Sequence, residues 1–93
     1  MRESDVEKYL VVRVADCGAV AEKFTSPNRK FVPDRIILLG GSEVCFVECK
    51  ATGEKPNVGQ LRDHERRRAL GYRVYVVDSR QSINDFLKRE GFF

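Results

Sequence analysis

Apolar positions follow two rhythms along this chain. From Arg2 to Gly18 they recur every three or four residues. Val6, Leu10, Val14 and Cys17 form one helical stripe. Acidic residues crowd the first turn, where the helix dipole favours negative charge, and Gly18 is placed to end the helix. Ala19 to Phe24 reads as a strand of imperfect alternation. Ile36 to Leu39 and Val44 to Cys49 are continuous apolar runs, rich in β-branched residues, and read as buried strands. Gly40-Gly41-Ser42 between them predicts a hairpin. Asn57 is placed as the N-cap of a helix running through Leu70 and stopped by Gly71, with Val58, Leu61, Ala69 and Leu70 as its expected apolar contacts. Tyr72 to Val77 is the next strand. Ser79 or Ser82 opens a last amphipathic helix with Ile83, Phe86 and Leu87, ended by Gly91. The Phe92-Phe93 tail is expected to pack on the core or on a second subunit. The order α-β-β-β-α-β-α predicts one α/β domain over residues 1–93, a small mixed β-sheet flanked by helices. The strand–helix–strand segment suggests a right-handed crossover onto the hairpin sheet.

Bulk properties narrow the picture. A chain of 93 residues supports one modest core, so dimerisation would add stability. At 42% hydrophobic and 33% charged residues, the composition is that of a soluble globular protein rather than a disordered one. A net charge of +3 permits a nucleic-acid partner without demanding one. Cys17, Cys45 and Cys49 make an odd count. Cys45 and Cys49 lie too far apart along one strand to pair, and no Cys-x-x-Cys motif suggests structural zinc. Reduced thiols, with no signal peptide or membrane-spanning run, lead us to expect a cytoplasmic protein.

The candidate chemistry sits at the end of the second hairpin strand. Side chains two apart on a strand share a face, so Glu48 and Lys50 point the same way. Pairing across the short turn brings Asp34, at the start of the first hairpin strand, towards both. Charges closing so apolar a run are costly to bury unless they are paired or bind something. Two carboxylates beside an amine suit a hard cation such as Mg²⁺, with the Cys49 backbone carbonyl as a third ligand. Lys50 could hold or deprotonate an attacking water, and Gln60 could orient a water or a phosphate oxygen. Glu3 lies on the apolar stripe of the first helix and Glu7 beside it, so either carboxylate could face inward, although a solvated first turn explains both. Arg29 and Lys30 occupy a polar loop and could meet phosphate. Gln60, His64 and Arg67 share one face of the central helix. His64 is expected to be partly exposed there. Arg62, Arg66, Arg67 and Arg68 form the most basic segment, and they cannot all face one way.

Pro33-Asp34 followed by Glu48-Cys49-Lys50 resembles the signature of the PD-(D/E)XK nuclease superfamily, and more closely its VRR-NUC branch, the virus-type replication-repair nucleases. The likeness covers nearly the whole chain. It takes in the acidic first helix, Pro33 to Ile36, Phe46 to Lys50, the helix starting near Gln60, and Leu70 to Val74. The resemblance implies a restriction-endonuclease-like fold and a Mg²⁺- or Mn²⁺-dependent DNA nuclease. It assigns metal-ligand roles to Asp34 and Glu48, the catalytic lysine to Lys50 and a supporting role to Gln60. It also calls for a first-helix glutamate, Glu3 or Glu7, of which the stripe favours Glu3. Arg29, Lys30, His64 and Arg67 become its candidate contacts to nucleic acid. Free-standing domains of this branch, of phage and bacterial type, resemble Holliday-junction resolvases, homodimers that cut branched DNA. One departure is Val32, where the family often has glycine before Pro-Asp; it removes no ligand. Two other readings compete: a DNA-binding module on a nuclease fold that no longer cuts, and an interaction domain whose hairpin charges only pair with one another. The intact set Asp34, Glu48, Lys50 and Gln60 argues against degeneracy.

Overall fold

The computed structural model describes every residue from Met1 to Phe93. Its elements are α1 (Glu3–Asp16), β1 (Val20–Lys23), β2 (Arg35–Gly40), β3 (Glu43–Cys49), α2 (Val58–Ala69), β4 (Val74–Val77) and α3 (Arg80–Arg89). The order is the one the apolar rhythms predict. The four strands form one mixed sheet in the order β1-β2-β3-β4. The first three run antiparallel, and β4 joins β3 in parallel after the α2 crossover.

Alternation along β3 decides the layers. Cys45, Val47 and Cys49 point to one face and pack with Ile37 and Val77 against α1 and α3. Val6, Leu10 and Val14 of α1 and Ile83, Phe86 and Leu87 of α3 close that core. Phe46 and Glu48 point to the other face, which α2 covers. Because β3 is covered on both faces, its sequence reads as an unbroken apolar run.

The hairpin turn is built on left-handed backbone at Gly40, Gly41 and Ser42, with φ of 100°, 59° and 66°. Glycine meets that requirement at the first two positions without a Cβ penalty. A one-residue irregularity between Leu38 and Gly40 absorbs the odd residue near the turn. Below it the ladder is regular, with Ile36 opposite Phe46 and Arg35 opposite Val47. Just before β2, the Asp34 side chain reaches the end of β3, accepting from the Cys49 amide.

Helices α2 and α3 begin with reciprocal capping boxes, Asn57 with Gln60 and Ser79 with Ser82. Ser79 is thus the cap and Ser82 its partner. Phe92 lies half-buried on the core, while Phe93 is exposed with the Arg13 guanidinium 5.7 Å from its ring centre. No helix is long and apolar enough to cross a membrane.

Candidate functional site

Glu48 is the last inward carboxylate on the α2 face of β3 and is only 2% exposed. Its Oε2 accepts a long 3.4 Å hydrogen bond from Gln60 Nε2 and lies 3.9 Å from Lys50 Nζ. Its Oε1 has no hydrogen-bond partner. Asp34 stands across the strand pair, and its Oδ2 accepts a 2.7 Å hydrogen bond from the Cys49 amide. The hairpin thus brings Asp34, Glu48 and Lys50 to one mouth, as the alternation and turn length require. Burial raises the Glu48 carboxyl above its ordinary range. The neighbouring His64 pulls it down, the Asp34 charge pushes it further up, and Lys50 opposes that rise. A buried carboxylate held this way, with one oxygen unpartnered beside His64 and a second acid nearby, is poised to accept a positive charge.

Gln60 does two jobs with one amide. Its Oε1 accepts from the Asn57 N–H at 2.9 Å, which completes the cap of α2. The same bond fixes which way the amide lies, so Nε2 is aimed at Glu48. The helix start and the site are locked together by that side chain.

Helix α2 does not dock through its apolar residues. Val58, Leu61 and Leu70 are exposed, and its only buried side chains are Asp63 and His64. The contacts expected of Val58, Leu61, Ala69 and Leu70 are replaced by a polar stripe. Gln60 meets Glu48, and His64 Nε2 comes within 3.6 Å of Glu48 Oε1. Arg67 lies over the rings of Phe24 and Phe46, 5.1 and 4.8 Å from their centres, and its Nε donates to Asp63 at 2.8 Å. Flat guanidinium on two aromatic faces does the work that leucine does in most helices.

Three expectations are corrected by this packing. His64 is fully buried, with neither ring nitrogen hydrogen-bonded, so it faces Glu48 and has no surface to offer DNA. Arg67 is committed to Asp63 and two rings, which takes its guanidinium away from solvent phosphate. Glu3, the first residue of α1, is exposed. Glu7 is the α1 carboxylate turned to the sheet; it accepts from Arg35 Nε at 2.9 Å and Lys23 Nζ at 3.3 Å. The thiol of Cys49 registers the crowd of acids. Burial pushes its pKa up, and the charges of Asp34, Glu7 and Glu48 push it further.

Comparison with known proteins bears on the same point. No family model matches the chain. It is 51% identical over 87 residues to "Putative nuclease p44" of Acyrthosiphon pisum secondary endosymbiont phage 1, covering 94% of this chain and 92% of that protein. A solved VRR_NUC domain superposes with a TM-score of 0.86 at 33% identity, over 92% of this chain and 94% of that one. This chain belongs to the VRR-NUC nuclease family.

In this VRR-NUC domain the exposed cations gather beside the mouth rather than in it, and one of them, Arg66, also pairs with Asp63 at 2.6 Å. Arg29 and Lys30, both exposed, face Arg62 and Arg66 across an open cleft of about 450 Å³. Arg68 is turned back, donating to the Val74 carbonyl at 2.6 Å. Of the four arginines on α2, Arg62 and Arg66 therefore point outward to the cleft, and Arg67 and Arg68 support the fold. Gly59, Arg62, Asp63 and Arg66 follow helical spacing and form the stripe next to Gln60, His64 and Arg67. The spacing of the arginines could have revealed this division. The burial of His64 had no comparable signal, because the helix carries too few apolar residues to show which face turns in.

Proposed function

We propose that this VRR-NUC nuclease is a Mg²⁺- or Mn²⁺-dependent endonuclease that acts on branched DNA as a homodimer. The observation that carries the reading is the strand register. It brings Asp34, just before the Arg35–Val47 pair, to the Glu48–Cys49 end of β3, where Asp34 accepts from the Cys49 amide and Lys50 lies beside Glu48. The donors fit a hard cation. Glu48 offers a buried oxygen with no partner, and Asp34 keeps a second oxygen beyond the one bonded to the Cys49 amide. No group of three or more His, Cys, Asp or Glu side chains gathers as a cage. The remaining positions would fall to the Cys49 carbonyl, water and the substrate phosphate, the usual sharing for Mg²⁺. When bound, the cation would neutralise charge on the phosphate and acidify a coordinated water.

The chain's own groups divide the rest. Asp34 and Glu48 supply the negative charge that recruits the cation to the scissile phosphate. Lys50, held beside Glu48, donates hydrogen bonds to the attacking water or to the oxygen that becomes negative in the transition state. Gln60 steadies Glu48 from the cap of α2. Glu7 adds the α1 carboxylate to the field around Cys49. The basic cleft tracks the phosphate backbone, and its affinity should fall steeply with salt. A dimer fits two related cuts, since two cuts need two sites.

The test is a cleavage panel of a four-way junction, a flap, a splayed arm and plain duplex, with Mg²⁺ and with Mn²⁺. We expect cutting of the branched substrates, and loss of both cutting and calorimetric Mn²⁺ binding in Asp34→Ala. Strong preference for plain duplex would sink the branched-DNA reading. Metal binding and DNA binding without cleavage would instead favour a module that grips DNA. Light scattering on the same sample should give two subunits.

A further inference from the structure

The basic cleft holds one apolar side chain, Phe31, and that residue is strained. Its φ is 65°, in the left-handed region that bulky residues rarely enter. Its ring rests on Gly59. A Cβ at Gly59 would lie 2.6 Å from the ring's Cε2, so only glycine allows this approach. Despite that seat, Phe31 is 47% exposed. The chain has therefore spent backbone strain, and a glycine inside a helix, on holding an aromatic ring open to solvent. Core packing does not require such an arrangement, because a ring serving the core would be covered.

The surroundings say what the ring meets. Arg29, Lys30, Arg62 and Arg66 line the same cleft. The one acid there, Asp63, is buried and already neutralised by Arg66 at 2.6 Å and Arg67 at 2.8 Å. A lone aromatic face among four cations suits a nucleotide, with its flat base and its phosphates. Both walls of the cleft also lead straight to the catalytic mouth. Phe31 lies three residues before Asp34, and Gly59 adjoins Gln60, which touches Glu48.

We propose that the cleft holds one unpaired nucleotide of the DNA substrate, its base stacked on Phe31 and its flanking phosphates on Arg29, Lys30, Arg62 and Arg66. The inference rests on the nuclease reading above and adds the feature of the DNA that is selected. A base stacked within a duplex has no free face to offer Phe31, whereas a flap, gap or open branch point does. Selection for structured DNA then arises at this ring, without contacts to base edges.

The experiment measures binding by fluorescence anisotropy in the presence of EDTA, which stops cleavage. The probes are a plain duplex and the same duplex carrying an unpaired thymine flap. Phe31→Leu keeps an apolar group on Gly59 and removes the π-face; Phe31→Tyr keeps the face. We expect Phe31→Leu to lose about tenfold in affinity for the flap, the usual worth of one stacked base, with little change for the duplex. Phe31→Tyr should bind as the wild type does. Thermal melting checks that both variants fold. Equal loss on both probes, no loss on either, or an equal defect in Phe31→Tyr overturns the proposal while leaving the nuclease reading intact. A wild-type protein that binds neither probe overturns both.

Discussion

Glu48→Gln should make the metal-free protein more stable while destroying its function. Glu48 is 2% exposed, its Oε1 has no partner, and its Oε2 has one long hydrogen bond and a lysine 3.9 Å away. A buried group left without its hydrogen bond costs on the order of 1–3 kcal/mol, and more when charged. Removing the charge should therefore recover at least about 1 kcal/mol, which in a domain of this size raises Tm by about 4–8 °C. The pH dependence has a definite sign. The folded-state carboxyl is raised above its unfolded value, chiefly by burial. The neutral acid is thus favoured in the folded state, so the wild type loses stability as pH rises through the raised pKa. The variant cannot ionise there, so its advantage should be absent in acid and grow as pH rises through the raised Glu48 pKa. The assay is thermal melting across pH in EDTA, repeated with Mn²⁺, which should stabilise the wild type and leave the variant unchanged. A variant less stable than the wild type at pH 8 in EDTA would show that Glu48 is well compensated in the empty site, and the reasoning would fail.

Three further outcomes follow from the same geometry. Lys50→Ala should cut cleavage by about 100-fold or more while DNA affinity stays nearly unchanged, since transition-state donors are worth that much; matched losses in single-turnover rate and in binding would make Lys50 a phosphate anchor instead. His64→Leu removes the ring 3.6 Å from the Glu48 oxygen and should weaken calorimetric Mn²⁺ affinity by about 10–100-fold, the scale seen for groups beside a metal ligand, with little change in Tm because both ring nitrogens are unpartnered; unchanged Mn²⁺ affinity would show that His64 does not support the ligand. Glu90 sits in a separate cluster, where burial works against its charge but Arg73 at 2.7 Å and the Tyr75 hydroxyl hold its carboxyl below the ordinary range. Its stabilising effect is present above the unfolded pKa and disappears as pH falls through the folded one, so Glu90→Gln should lose about 1–3 kcal/mol at pH 7 and progressively less in acid, as read by urea melts. A deficit that persists at pH 3 would contradict the charge-based account.

The sequence disclosed most where local rules govern. The hairpin is one such place. Alternation along Val44 to Lys50 and the short Gly40-Gly41-Ser42 turn suffice to bring Asp34 towards Glu48. The Asn57 cap and the glycines that follow each helix, all at positive φ, are equally local. Prediction faltered where docking is decided between elements. On α1, spacing placed Glu3 on the inward stripe, but the first turn lies in solvent and Glu7 meets Arg35 instead. On α2, the usual link between apolar and inward was reversed, which hid His64. Phe31 was invisible for a different reason. Its meaning comes from a backbone angle and from a glycine elsewhere in the chain, and neither is written in its immediate neighbours.

Helix α2 is moored to the sheet by working groups alone. Asp63 and His64 are its sole buried side chains, and Gln60 and Arg67 complete its hold. With so little oil beneath it, α2 should be the first helix to lift, and its amides should exchange hydrogen well before those of α1. Occupancy of the mouth by cation and strand would then do more than enable cutting. It would fasten the helix that carries Gln60 and His64 to Glu48, so that the proposed site is most fully assembled only while it is occupied.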